Sequence, residues 1–297
     1  MLILHTVYEL NQLNYKHMKK FKFFPIVLGM LIVAFMASCT KEGVYNPKKK
    51  IQRVYNASTY TDKYLSQVWN WEGKLLKSVD HFFSSGGLEF TETFTYDGNR
   101  LIRVDDYRNS EYGTYDYDGS VLKTYNYYYK NQLSLTINFT YDGKKLSQVV
   151  YTIYGDKKVE SHLMPPIPAE MRESLNVLAA KADASKGMYV INYKFTWTND
   201  NITRLVGTAE GEMITVTLGY DTKTNPFKGF LGLYGVEDPY NFYSKNNVIQ
   251  YMETYLGGDN EIYNFNYQYD GDGYPTMSIR TSVDSDYSYS TFYEYDK

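Results

Sequence analysis

Cys39 is the only cysteine of the 297-residue chain, and its surroundings name its chemistry. Lys19, Lys20 and Lys22 give a basic start, Phe23 to Phe35 an apolar run, and Met36-Ala37-Ser38 a small-residue site directly before the thiol. A basic, an apolar and a small-residue region in that order make an export signal, and a cysteine at its end is the acceptor for a lipid. The remaining candidates for chemistry are sparse. His81 and His162 stand too far apart in sequence to announce a metal pair, and no further cysteine joins them. Asp270-Gly271-Asp272-Gly273 and Asp284-Ser285-Asp286 have the acidic spacing of partial calcium loops but lack the oxygen ligands to complete one, so they read as hairpin turns. Glu210 and Glu212, two apart, would share a strand face at the separation that glycoside hydrolases use, yet solvated strands carry such pairs routinely. No Gly-x-Ser-x-Gly elbow is present. No catalytic residue, metal or cofactor is assigned.

The leader sets the boundaries. Its apolar run is shorter than the roughly 20 residues of a spanning helix, so it is expected to be cleaved rather than retained. Residues 1–17 carry Glu9 and several polar side chains, have no place in such a signal, and are read as an extension ahead of a start at Met18. That gives a signal over 18–38, a polar linker over 39–50 from the lipidated Cys39, and a domain over 51–297. Without the leader's four lysines and Glu9, the charge balance falls from −3 to −6. A mildly acidic domain argues against nucleic acid as a partner. With no second cysteine, no disulfide forms within the chain. Stability must come from packing, for which 34 tyrosines, 15 phenylalanines and 3 tryptophans supply the rings.

Those rings recur in a phrase. Phe94-Thr95-Tyr96-Asp97-Gly98-Asn99-Arg100-Leu101 and Phe139-Thr140-Tyr141-Asp142-Gly143-Lys144-Lys145-Leu146 align position for position. Looser copies place a second aromatic at Trp71, Tyr117, Trp197, Tyr220, Tyr243, Tyr269 and Tyr295. The spacing is about two dozen residues, except for a step of 56 between Tyr141 and Trp197, room for two repeats. Aromatics at i and i+2 share one face of a strand, and Asp-Gly permits the positive φ of a tight turn. Each unit thus holds two strands, and nine markers imply about 16 to 18 antiparallel strands. The predicted fold is all-β: a large antiparallel meander of repeated hairpins, curled into an open or partly closed barrel. One helical insert is expected at about 165–186, after Pro165-Pro166-Ile167-Pro168, where Met171, Leu175 and Leu178 recur at helical spacing.

Trp69, Trp71, Trp197, Tyr127 and Tyr129 form the candidate ligand platform, since sugar rings stack on aromatics and bond to phenol hydroxyls. The competing use of these rings is cross-strand packing. The run Tyr125-Asn126-Tyr127-Tyr128-Tyr129 must project from both faces. A membrane-spanning barrel is disfavoured, because Thr, Asn, Lys and Asp occupy positions where lipid would require apolar side chains.

The Tyr-Asp-Gly phrase with its aliphatic follow-up is remotely similar to the YD repeats of RHS and teneurin-type shells. Cys39 with its leader, the stretch Phe195 to Ile202, and Tyr220-Asp221-Thr222-Lys223-Thr224-Asn225-Pro226-Phe227-Lys228-Gly229 resemble a group of Bacteroidota lipoproteins with a porin-like, many-stranded sheet. That resemblance implies an outer-membrane lipoprotein, facing the cell surface or the periplasm, and brings no catalytic residues. The expected function is a non-enzymatic binding or structural module of the envelope. Its expected partners are the membrane, through the lipid, and a glycan or another envelope protein. The alternative is a polysaccharide-acting hydrolase using a carboxylate pair.

Overall fold

A computed structural model describes residues 42–106, 110–154, 188–209, 212–231, 239–255 and 260–296. They belong to one compact unit, Lys41–Lys297. Its sixteen strands are β1 (Ile51–Ser58), β2 (Thr61–Glu72), β3 (Leu75–Phe82), β4 (Leu88–Asp97), β5 (Arg100–Asp106), β6 (Glu111–Asp118), β7 (Val121–Tyr129) and β8 (Gln132–Asp142), followed by β9 (Lys145–Tyr154), β10 (Met188–Thr198), β11 (Asn201–Ala209), β12 (Glu212–Tyr220), β13 (Val248–Tyr255), β14 (Asn260–Tyr269), β15 (Pro275–Ser282) and β16 (Ser288–Tyr295). Each pairs antiparallel with its neighbours in sequence, and β1 pairs with β16.

The barrel is therefore closed, which corrects the expected open or partly closed sheet. The physical reason lies in the last edge: β1 matches β16 over seven residue pairs from Ile51↔Tyr295 to Ser58↔Tyr289, so no row of backbone groups is left unpaired. The helical insert expected at about 165–186 is not seen among the described residues. The described residues contain one short helix, α1 (Pro239–Tyr243), between β12 and β13, while the segment 165–186 lies outside them. Tyr243 accordingly ends a helix and marks no hairpin. β9 and β10, on either side of the room before Trp197, pair directly with each other.

Eight of the nine markers do fall on strands, and all at one end of the barrel. Trp71, Tyr96, Tyr117, Tyr141, Trp197, Tyr220, Tyr269 and Tyr295 close the even-numbered strands β2 to β16. Seven of them stand at a register shift against the following strand, and all of these but Tyr220 lead into a turn that carries Gly73, Gly98, Gly119, Gly143, Asn199 or Gly273 at positive φ. A bulge leaves a ladder carbonyl without its strand partner. The aromatic side chain answers it across the neighbouring hairpin. Tyr96 Oη donates to the Leu76 carbonyl at 2.8 Å and Tyr117 Oη to that of Leu101 at 2.7 Å. Trp71 Nε1 donates to Ile51, Trp197 Nε1 to Leu146, Tyr220 Oη to Ile202, Tyr267 Oη to Val248 and Tyr295 Oη to Pro275, all between 2.5 and 2.9 Å. In each case the acceptor is the first or second residue of the odd-numbered strand that precedes the ring's own strand. Burial holds the Tyr96, Tyr117 and Tyr295 phenols well above their ordinary range, so they remain donors. At the seam, Asp296 N–H donates to the Lys50 carbonyl and Lys50 N–H to the Asp296 carboxylate.

The excess of rings now has a reason. A barrel of sixteen strands encloses more space than aliphatic side chains can fill. Here Trp69, Tyr125, Tyr193 and Tyr251 are fully buried on the inner face with Leu76, Leu122, Leu135, Ile137 and Leu146. The excursion between β12 and β13 adds Phe227, Phe230, Leu231, Tyr240 and Phe242 to the same core. Phe230 meets Trp69 of β2 and Phe94 of β4, Phe227 meets Tyr293 of β16, and Tyr240 meets Tyr251 of β13, so one segment bridges strands from both halves of the chain. The turn end of the barrel is stoppered.

The outer face is polar. Asn70 donates to Ser78 and Asp80, Thr91 to Asp80, Thr136 to Asn126, Gln148 to Asn192 and Gln250 to Asn264, forming cross-strand ladders on the side away from the core.

Candidate functional site

The two halves of the barrel interior differ in character. Toward the turns the inner face is apolar. Toward the opposite end, where β1 meets β2 and β3 meets β4, the inward positions of successive strands are Gln67, His81, Glu92, Asp106 and Glu111, with Glu253 across the barrel on β13. All are buried. Glu92 and Asp106 are register partners, as are Asp106 and Glu111, which sets three carboxylates on one inner face of adjacent strands. His81 stacks on Phe90 with ring centroids 4.2 Å apart, and its Nε2 lies 3.7 Å from Glu92 Oε2. Tyr251 Oη donates to the Glu253 carboxylate. Arg280 lies over the rings of Tyr263 and Tyr289. This buried polar row was not singled out from sequence. Its signal was there, as acidic residues in each of β4 to β6, but inward and outward acids look alike until the register is known.

The rim above that row is apolar. Tyr60, Phe83, Leu88, Leu133, Met188, Met213 and Val283 are exposed and belong to the connections, or first residues of strands, at this loop end. Tyr60 is 80% exposed and lies near-parallel to Tyr287 at 6.1 Å. Among the described residues, most large exposed apolar side chains gather here.

The residues predicted as a platform occupy other positions. Trp69 is 2% exposed and packs on Phe230 and Phe227. Trp71 packs against Tyr45 and Trp69, and its indole, like that of Trp197, is taken up by a backbone carbonyl. Tyr127 is buried in the interior; Tyr129 is half-buried at the loop end. Of the five-residue run, Tyr125 and Tyr127 point inward, while Tyr128 stacks outside on Tyr112 at 4.6 Å. The Asp270 loop is a turn: its Oδ1 accepts from the backbone N–H of Asp272 and Tyr274, and its other oxygen from Lys49. Those bonds to Asp270 and Asp272 push the Lys49 ammonium up to about 12. Cys39, His162 and Glu210 lie outside the described residues, and no group able to hold a metal occurs among the described ones.

Residues 42–50, expected as a linker, run along the turn end. Glu42 N–H donates to the Ser120 carbonyl, and Leu101 N–H to that of Gly43. The Glu42 carboxylate accepts from Leu122 N–H at 2.6 Å and from Tyr141 Oη at 2.7 Å, standing where the other hairpins have a ring bound to a carbonyl. Burial raises the Glu42 carboxyl above its ordinary value, against the opposing pull of Leu122 N–H, the Tyr141 hydroxyl and Arg100. Tyr45 is buried on Trp69, Trp71 and Phe230, with its hydroxyl donated to the Pro226 carbonyl.

A closed antiparallel barrel with neighbouring strands adjacent in sequence can be compared directly with known folds. This fold is porin-like. The chain is similar to a porin-like protein from Bacteroides uniformis, with a TM-score of 0.50 at 11% identity, covering 86% of this chain and 100% of that one. A porin-like protein from Bacteroides vulgatus gives 0.36 at 10% identity over 84% of this chain and 99% of that one, and a chain of a TcdB2-TccC3-Cdc42 structure gives 0.31 at 14% identity over 81% and 13%. Of these three scores, the first alone speaks to fold. No protein-family model and no curated protein matches the sequence.

Proposed function

We propose that the chain is an envelope lipoprotein, tethered through Cys39, whose porin-like barrel serves as a binding module rather than a pore or an enzyme. The observation that carries this reading is the pairing of a polar outer wall with a filled turn end. A wall of Thr, Asn, Asp and Lys is suited to water, and among the described residues Trp69, Phe227 and Phe230 pack together across the interior at the turn end. The loop end supplies the surface. Its aliphatic and aromatic rim fits the apolar face of another envelope protein better than a sugar, whose recognition needs polar groups beside each ring.

The test combines anchoring with conduction. Radiolabelled palmitate should enter the wild-type protein and not Cys39→Ala, and Cys39→Ala should move from the membrane fraction to the soluble one. The domain beginning at Glu42 should be monodisperse without detergent and produce no conductance steps in planar bilayers. Stable channels would overturn the non-pore reading, and unlabelled wild type the lipoprotein reading.

A further inference from the structure

We infer that the barrel stands with its hairpin-turn end against the membrane surface and its loop-end rim held away from it. This rests on the lipid-anchor reading and adds a direction to it. The chain at Glu42 is not free to swing: its N–H is bound to Ser120, its carboxylate to Leu122 and Tyr141, and its carbonyl to Arg100 Nε at 3.0 Å. The next residue is held through its carbonyl by Leu101, and its backbone has φ +78° with the Tyr117 ring against it. Two residues on, Tyr45 is 9% exposed inside the stopper. Only three peptide steps separate Cys39 from Glu42, a reach of about 11 Å at full extension. The strands run roughly 25 Å along the barrel axis once their tilt is allowed for. A lipid on Cys39 can bring the turn end to the headgroups, and it lacks the reach to let the loop end turn over onto them. What faces the bilayer is then the ring of hairpin turns, including those at Gly73, Gly98, Gly119 and Gly143. What faces outward is Tyr60, Phe83, Leu88 and Val283.

The test uses full-length lipidated protein in vesicles containing headgroup-nitroxide phosphatidylcholine. Exposed positions at the turn end, Lys74 and Asp142, and at the loop end, Tyr60 and Ser85, are each replaced by p-azidophenylalanine and coupled to a fluorophore, which leaves Cys39 for the lipid. Fluorescence should be lost at Lys74 and Asp142 and retained at Tyr60 and Ser85. A Gly/Ser insert of about twenty residues before Glu42, with a root-mean-square reach of roughly 25 Å, should erase the difference between the ends. Equal quenching at both ends without the insert, or stronger quenching at Tyr60 and Ser85, overturns the inference. Mass spectrometry of Cys39 separates this outcome from failure of the anchor itself. If the thiol carries no acyl chain, a maleimide lipid coupled to it provides the same tether, and the comparison of the two ends still decides the direction.

Discussion

The Trp197 indole donates its N–H to the carbonyl of Leu146, 51 residues earlier, at 2.7 Å. It reaches from the last turn of β10 to the first residues of β9, so the bond joins two hairpins rather than the strands of one. Six further contacts of the same kind surround the turn end, each from an aromatic ring to a carbonyl of the preceding unit.

Replacing a ring of this set by one that cannot donate isolates the bond from the packing. Tyr96→Phe leaves the Leu76 carbonyl without its partner while keeping the ring. The expected loss is about 1–2 kcal/mol, read as a lower urea midpoint at unchanged slope. Tyr112→Phe, outside the ring of contacts, should stay within about 0.5 kcal/mol of wild type.

Gly207 and Tyr193 face each other across β10 and β11. A Cβ at position 207 would clash with the Tyr193 ring, coming within 3.1 Å of its Cε1, Cδ1 and Cζ atoms. Gly207→Ala should therefore destabilise the barrel by about 1–3 kcal/mol through overpacking. Tyr193→Leu in the same chain should recover part of that loss, and a thermodynamic cycle over the two substitutions measures the coupling.

At Gly98 the cause is different and so is the remedy. Its φ is +60° and nothing lies within 4 Å of the space a side chain would take, so only the backbone objects. Gly98→Val should cost about 1–2 kcal/mol in thermal unfolding. Gly98→Asn should cost clearly less, since asparagine tolerates the left-handed region, as Asn199 does in the corresponding turn at φ 56°.

Glu42 gives the fold a pH dependence whose sign follows from its raised carboxyl. The folded state holds the proton more tightly than the unfolded chain, so the contribution is fully present below the ordinary carboxylate value of 4.5 and is lost as pH rises through the folded value. Glu42→Gln keeps an acceptor for Leu122 and Tyr141 without the titration. Wild type should thus lose stability relative to Glu42→Gln as pH is raised from about 4.5, in denaturant melts taken across that range.

Much of this architecture was legible in the sequence because the phrase Phe-Thr-Tyr-Asp-Gly states a face, a bend and a return within five residues. The count of about 16 to 18 strands came from those phrases, and the described residues form sixteen. What could not be read concerns contacts across long separations. Closure depends on Val54 meeting Tyr293, and nothing local to either residue announces it. Tyr243 carried the ring spacing but sits in α1, where Tyr240 and Phe242 beside it fill the mouth of the barrel. The tryptophans suggested a wet platform because a ring's chemistry is the same inside and out. The side of the sheet decides its use, and for Trp69 that side is the core. The buried Glu92, Asp106 and Glu111 were hidden by the same ambiguity.

The seam at Lys50 and Asp296 has a meaning for how such a molecule is put together. Tyr295 occupies the place of Tyr96 in its hairpin, Ile51 that of Leu101, and Asp296 bonds Lys50 where a continuous chain would bend. The gap is thus the eighth bend of an eightfold wheel, left uncut in the other seven. A gene splicing 296 to 50 and opened at Gly143 would trace the same wheel from another spoke.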